Sequence, residues 1–221
     1  MADKKAIVLL SGGLDSAVTL YLAKKKGFRC RCLIFDYGQR HAKEIRSAKR
    51  IAQSANCKAQ VIKINLPWKG SSLLDKKIKL PRRSDEIPNT YVPARNIIFL
   101  SFALSYAEAA GLEAIFIGAN AVDFSGYPDC RLKFYRSFKK IISCGTKSGA
   151  QGKNIRIFTP LIRKTKAEII KTGLRLGVPF ELSWSCYQGG KLPCGKCDSC
   201  YFRAKGFNEA GIKDPLLVYG S

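Results

Sequence analysis

The apolar run Ala6-Ile7-Val8-Leu9-Leu10 ends directly in Ser11-Gly12-Gly13-Leu14-Asp15-Ser16, and Ala17-Val18-Thr19-Leu20-Tyr21-Leu22-Ala23 follows with helical character. A strand, a tight glycine turn and a helix in immediate succession leave backbone N–H groups at the helix N-terminus open to an anion. Glycine at 12 and 13 lets the backbone approach a phosphate closely and take positive φ at little cost. Ser11 and Ser16 add hydroxyl donors. A Walker A loop is excluded, because no Gly-Lys-Ser/Thr follows the turn. The competing reading is an ordinary glycine turn in a βαβ unit. The functional reading nominates Leu10, Ser11, Gly12, Gly13, Leu14, Asp15 and Ser16 as a nucleotide-binding loop.

From that start the first half of the chain alternates. Strands are expected at 6–10, 29–35 and 58–64, with helices at 14–26, ended by Gly27, and at 41–55. Regular βαβ alternation predicts an α/β fold, a doubly wound parallel sheet with helices on both faces. Ligands in such sheets sit beyond the carboxyl ends of the strands, where the glycine turn lies. Residues 65–90 break the pattern with Pro67, Gly70, Pro81, Pro88 and mixed charges, and read as an insertion or flap over the site. Further helices are expected at 95–111, 132–143, 165–176 and 201–211, and further strands at 114–118 and 155–159. At 221 residues the chain fits one large domain over 1–184, with a small segment over 185–221 packed on it. There are no internal repeats or low-complexity tracts.

Composition narrows the setting. No apolar run approaches the roughly 18 residues that span a bilayer, and the longest, at 97–107, reads as a buried helix. The N-terminal lysines precede an apolar stretch with no small-residue cleavage site, which points to a cytoplasmic protein. Lys+Arg of 39 against Asp+Glu of 16 gives a formal charge of +23, a composition attractive to polyanions such as RNA. The lysines are spread along the chain with few aromatics among them, so a solvated basic surface explains them equally. Direct tRNA binding is therefore possible but not favoured.

Nine cysteines are an odd count, and four crowd the last quarter of the chain, which fits metal ligation better than a disulfide framework. Cys194, Cys197 and Cys200 are spaced C-x2-C-x2-C, and Cys186 lies eight residues upstream across Gly189-Gly190. Four thiolates within fifteen residues suit a closed tetrahedral Zn2+ site whose role is structural. An iron–sulfur cluster is the alternative, weakened by the lack of a Cys-Pro three residues on. Cys30, Cys32, Cys57, Cys130 and Cys144 show no metal spacing.

The glycine loop resembles the SGGxDS loop of the ATP-pyrophosphatase (PP-loop) enzymes, which activate a substrate oxygen by adenylation. It stands with Asp36-Tyr37-Gly38-Gln39-Arg40-His41, Val92-Pro93-Ala94-Arg95-Asn96 and Gly118-Ala119-Asn120-Ala121-Val122-Asp123. Ser125-Gly126-Tyr127-Pro128-Asp129-Cys130, Pro160-Leu161-Ile162-Arg163-Lys164-Thr165-Lys166 and the cysteine cluster complete the set. Together, over residues 5–211, they resemble the 7-cyano-7-deazaguanine synthase family.

That resemblance implies ATP-dependent conversion of 7-carboxy-7-deazaguanine and ammonia to the nitrile through an amide, with Mg2+ accompanying ATP, in a homodimer. It implies that Ser11, Gly12, Gly13 and Ser16 hold the ATP phosphates and that Asp15 orients the loop or a Mg2+. Arg95, Lys164 and Lys166 would offset pyrophosphate charge, while Arg40, Asp123 and Asp129 would meet substrate or Mg2+. His41, the only histidine, is expected to be a structural or substrate-side contact. Two other readings remain: a PP-loop enzyme adenylating a base in tRNA, and a nucleotide-sensing binding module.

Overall fold

Five parallel strands form a single sheet. In a computed structural model, which describes residues 4–40, 42–80, 87–120 and 126–218, they are β1 (Lys5–Leu9), β2 (Arg29–Asp36), β3 (Lys58–Lys63), β4 (Ala114–Ile117) and β5 (Arg156–Phe158). The order across the sheet is β3-β2-β1-β4-β5. The pairing runs from Lys5↔Arg29 to Leu9↔Leu33 on one side of β1 and from Ala6↔Ala114 to Leu9↔Ile117 on the other. The chain therefore reverses its direction of winding between β1 and β4, which opens a crevice at their carboxyl ends.

Because side chains alternate along a strand, one apolar run feeds two cores. Ala6, Val8 and Leu10 join Cys30, Cys32 and Ile34 on one face, covered by α1 (Leu14–Lys25), α2 (Lys43–Ser54) and α6 (Lys166–Arg175). Ile7 and Leu9 join Leu33 and Phe35 on the other, covered by α3 (Arg95–Ala109) and α4 (Leu132–Gly145). Burial on both faces is why the central strands read as unbroken apolar stretches. The edge strand β3 carries Lys58 and Lys63 and is largely exposed, a pattern that discourages further strand pairing.

The expected elements are all present, with shifted ends. Helix α2 begins at Lys43, and His41 lies outside the described residues. Residues 65–80 and 87–94 are irregular, yet Leu66, Leu73 and Val92 are buried in the second core and the Arg40 N–H donates to the Leu73 carbonyl at 3.1 Å. The described part of this segment is thus a packed wall rather than a loose flap. A short α5 (Lys147–Ala150) follows α4, capped by the Thr146 hydroxyl. Helix α7 (Asp198–Ala210) starts three residues before expectation, with Cys197 as its N-cap, and α8 (Pro215–Val218) ends the described chain. No described helix is long and apolar enough to cross a membrane.

The described part of the C-terminal segment, 185–218, and the Trp184 just before it contact the elements around the sheet. The Trp184 N–H donates to the Gly12 carbonyl at 2.9 Å, and α7 packs against α6. Lys43 of α2 donates to the Gly190 and Lys191 carbonyls and lies 4.0 Å from the Trp184 ring centroid.

Candidate active site

A cavity of about 340 Å³ opens over the carboxyl ends of β1, β2 and β4. Its floor is the glycine loop. Gly13 is the N-cap of α1 and no side chain caps the helix, so the first-turn N–H groups face the cavity without an internal partner. The Ser16 hydroxyl donates to the Gly13 carbonyl at 2.9 Å and accepts from Ser11 at 3.1 Å, and the Gly13 N–H donates to Ser11 Oγ at 3.3 Å. Gly12 has φ +86°, and a Cβ there would meet the Glu44 carbonyl oxygen at 2.2 Å and the Ala48 nitrogen at 2.8 Å. Only glycine lets the loop lie this close to α2. An anion placed here meets open N–H donors and the positive end of a helix.

Two cationic groups border the loop. Thr165 caps α6, its hydroxyl accepting from the Glu168 N–H while Glu168 accepts from the Thr165 N–H, and this capping box starts the helix at Lys166. Lys166 Nζ then reaches both carboxylate oxygens of Asp15, at 2.9 and 2.8 Å. Arg95, the first residue of α3, follows Ala94, whose φ of +54° is left-handed and whose N–H donates to the Tyr91 hydroxyl at 3.1 Å. The Arg95 guanidinium meets the Tyr37 hydroxyl at 3.4 Å.

Of the expected residues, Leu10, Ser11, Gly13, Leu14, Asp15, Ser16, Arg95 and Lys166 all line this cavity. Others do not. Lys164 lies two residues before α6 and does not line the cavity. Arg40 donates to the Lys76 and Ile78 carbonyls, tying the wall segment down. Asp129, 6% exposed, accepts from the Asn96 N–H at 3.1 Å, so its carboxylate caps the start of α3 instead of facing the cavity. In this structure the chain delivers Asp129 to the open donors at the start of α3. Asp123 lies outside the described residues.

The cavity also holds residues that the motifs alone do not single out: Phe35, Phe99, Glu44, Tyr187, Trp184 and Arg203. Phe35 and Phe99 stack with centroids 4.0 Å apart, and Tyr37 meets Phe99 edge-on. Burial pushes the Glu44 carboxyl up to about 7, with Arg95 opposing and Cys186 adding to the rise. Applying the carboxyl-end rule to β2 as well as β1 would have reached Tyr37 and Glu44. Nothing local marks Tyr187 or Arg203, which arrive from the far end of the chain.

Cys186, Cys194, Cys197 and Cys200 place their sulfurs within 4.8 Å of one another, a cluster able to hold a metal ion. Backbone N–H groups of Gln188 and Cys194 donate to the Cys186 sulfur at 3.4 and 3.3 Å, and that of Lys196 to Cys194 at 3.5 Å. Such donors stabilise thiolate charge. Hydrogen bonds from the Cys197 and Cys200 thiols hold the Cys186 thiol well below its ordinary range. Cys200 sits in the first turn of α7, and its thiol, hydrogen-bonded to Cys186 and Cys197 and buried, is pushed well above its ordinary range.

The family model for the queuosine biosynthesis protein QueC matches residues 5–211. The 7-cyano-7-deazaguanine synthase of Thermoplasma volcanium is 50% identical over 218 residues, 96% of this chain and 90% of that one. That of Nostoc punctiforme is 51% identical over 221 residues, 96% of this chain and 99% of its own. Among solved structures, NMN synthetase from Francisella tularensis shares the fold with a TM-score of 0.52 and 17% identity, over 96% of this chain and 79% of the other. A 4-thiouridine synthetase, solved with RNA and bound ATP, does so with a TM-score of 0.54 and 20% identity, over 93% and 53%. A match reaching from the first strand past the cysteine cluster, with relatives half identical end to end, means that the chain belongs to the family of the queuosine biosynthesis protein QueC.

Proposed function

We propose that this chain is an ATP-dependent ligase that converts 7-carboxy-7-deazaguanine and ammonia to 7-cyano-7-deazaguanine. The observation that carries the reading is end-to-end half identity with proteins named for that product. The cavity supports it, because it gathers phosphate donors, the cations Arg95, Lys166 and Arg203, and aromatic rings around one space.

A carboxylate is a poor electrophile, since its leaving group would be oxide. Its oxygen attacks the α-phosphorus of ATP, pyrophosphate leaves, and the acyl adenylate forms. Ammonia attacks the acyl carbon, AMP leaves, and loss of a proton gives the amide. The amide oxygen then attacks a second ATP with loss of pyrophosphate. Departure of AMP and two protons from the adenylated amide leaves the nitrile. The protein's task is positioning and charge stabilisation.

Ser11, Gly12, Gly13 and Ser16, with the α1 N-terminus, hold the phosphates. Lys166 and Arg95 offset the charge of departing pyrophosphate, and Lys164, close by in sequence, is the third cation of this reading. Mg2+ enters with ATP, and Asp15, held by Lys166, orients the loop toward it. Arg40 and Asp123 belong to the substrate side of this reading.

Cys186, Cys194, Cys197 and Cys200 hold one Zn2+. A Zn–S bond of about 2.3 Å requires sulfurs about 3.8 Å apart in a tetrahedron, and Cys194 and Cys200 lie 3.9 Å apart. With four thiolates bound, the ion has no open position and serves to pin α7 beneath the cavity. A homodimer and a cytoplasmic location accompany this reading, and sedimentation and fractionation test them.

The test is mass spectrometry of the purified protein with Mg-ATP, 15N-ammonium and 7-carboxy-7-deazaguanine. The labelled amide appears first and the labelled nitrile second, with AMP and pyrophosphate. No product from protein that binds ATP refutes the reading.

A further inference from the structure

Among the described residues three carboxylates border the cavity: Asp15, Glu44 and Asp198. Both oxygens of Asp15 are held by Lys166, and Asp198 opens α7 beside the cysteine cluster. Glu44 differs from both. Its backbone carbonyl is wedged against Gly12, which fixes the root of the side chain beside the phosphate loop. Among the described residues its carboxylate forms no ion pair and accepts no hydrogen bond. Its charge is felt by Tyr37 just past the end of β2 and by Tyr187 from the C-terminal segment, while Arg95 of α3 favours its ionised form and Cys186 disfavours it. The same cavity is lined by Phe35 and Phe99, stacked on one another, and by Tyr37, edge-on to Phe99.

A carboxylate left without donors beside a stack of rings fits a planar ligand that brings its own donors. Resting on the reading under Proposed function, we propose that Glu44 is the specificity residue that accepts the ring N–H and the adjacent exocyclic amine of the deazaguanine edge. Those two donors lie side by side on one face of a planar ring. A carboxylate is the side chain with two acceptors and no donor of its own, so the pair forms a bidentate, charge-assisted contact. The ring plane rests on the aromatic wall, where the geometry of stacking fixes its orientation.

The test is steady-state kinetics of the metal-loaded protein and its Glu44→Gln variant, varying the deazaguanine acid and ATP separately. A second substrate, the analogue lacking the exocyclic amine, is run with both proteins. A glutamine keeps the shape but presents a donor in place of one acceptor. KM for the acid is expected to rise about 100-fold, with kcat within about threefold and KM for ATP unchanged. The wild type should disfavour the analogue by at least 10-fold, and the variant should lose most of that preference. A residue that only held the fold would not erase discrimination between two substrates. An active wild type with an unchanged acid KM in the variant overturns this inference alone, as does a fall in kcat with KM unaltered. An inactive wild type overturns the underlying reading and the inference with it.

Discussion

Replacing Arg203 with leucine tests how the C-terminal segment is held. Arg203 is 5% exposed and sits over the Phe207 ring at 5.3 Å. Its Nε and Nη2 donate to the two oxygens of Asp214 at 2.6 and 2.8 Å, Nη1 donates to Ser183 Oγ at 2.8 Å, and Nη2 to the Phe180 carbonyl at 3.1 Å. One guanidinium thus ties α7 to the Phe180–Leu182 turn and to the segment before α8. Leucine retains apolar bulk but strands the Asp214 carboxylate, whose side chain is 7% exposed. Removing one partner of a buried pair costs about 3–5 kcal/mol. At about 2–4 °C per kcal/mol for a chain of this size, the thermal midpoint should fall by roughly 6–20 °C. Circular dichroism of metal-loaded protein measures it, with urea titration giving the free energy directly. Since an apolar pair tolerates the site better than an orphaned charge, Arg203→Leu with Asp214→Leu should recover at least about 2 kcal/mol of the loss. A single variant within about 1 kcal/mol of wild type, or a double variant as unstable as the sum of the singles, refutes the argument.

Three further outcomes follow from the site. Gly206→Ala places a Cβ 2.3 Å from Lys166 Cγ, in mid-stem where the side chain cannot yield freely, so Lys166 is displaced from Asp15. Nitrile formation should drop more than 10-fold while urea unfolding shows a loss of about 1–3 kcal/mol. Cys200→Ser should abolish retention of the metal, measured by elemental analysis at one ion per chain in the parent, and lower the thermal midpoint, since a structural ion contributes folding energy. The Glu44 carboxyl, raised from 4.5 to about 7, gives a pH signature. The folded state holds this proton more tightly than the unfolded state, so its contribution favours folding at low pH and is lost as pH rises from about 4.5 to 7. Glu44→Gln should therefore match wild type near pH 4 and exceed it by up to about 3 kcal/mol at pH 8, as read from urea midpoints across that range.

The local pattern carried much of the fold. An unbroken apolar run before Gly12 could serve only a strand buried on both sides, and the alternation after it could close only as a parallel sheet. The cysteine spacing was legible for a similar reason: four ligands close in sequence need little tertiary help to converge. Single charged residues were less legible. Asp129 stands in a string that resembles a substrate loop, yet its carboxylate belongs to the start of α3, because open N–H donors at a helix end compete for any acceptor delivered to them.

What the sequence alone determined is whatever short-range chemistry enforces: the strand, the glycine turn, the uncapped helix and the cysteine cluster. What only the tertiary structure decided is which distant residues share the cavity. Lys166 meets Asp15 across 151 positions, and Trp184 bonds Gly12. Glu44 has no hydrogen-bond or ion-pair partner among the described residues and shares the cavity with rings from β2 and α3. No local signal sets those meetings, because they depend on how the helices pack across the sheet and not on the preferences of any one segment.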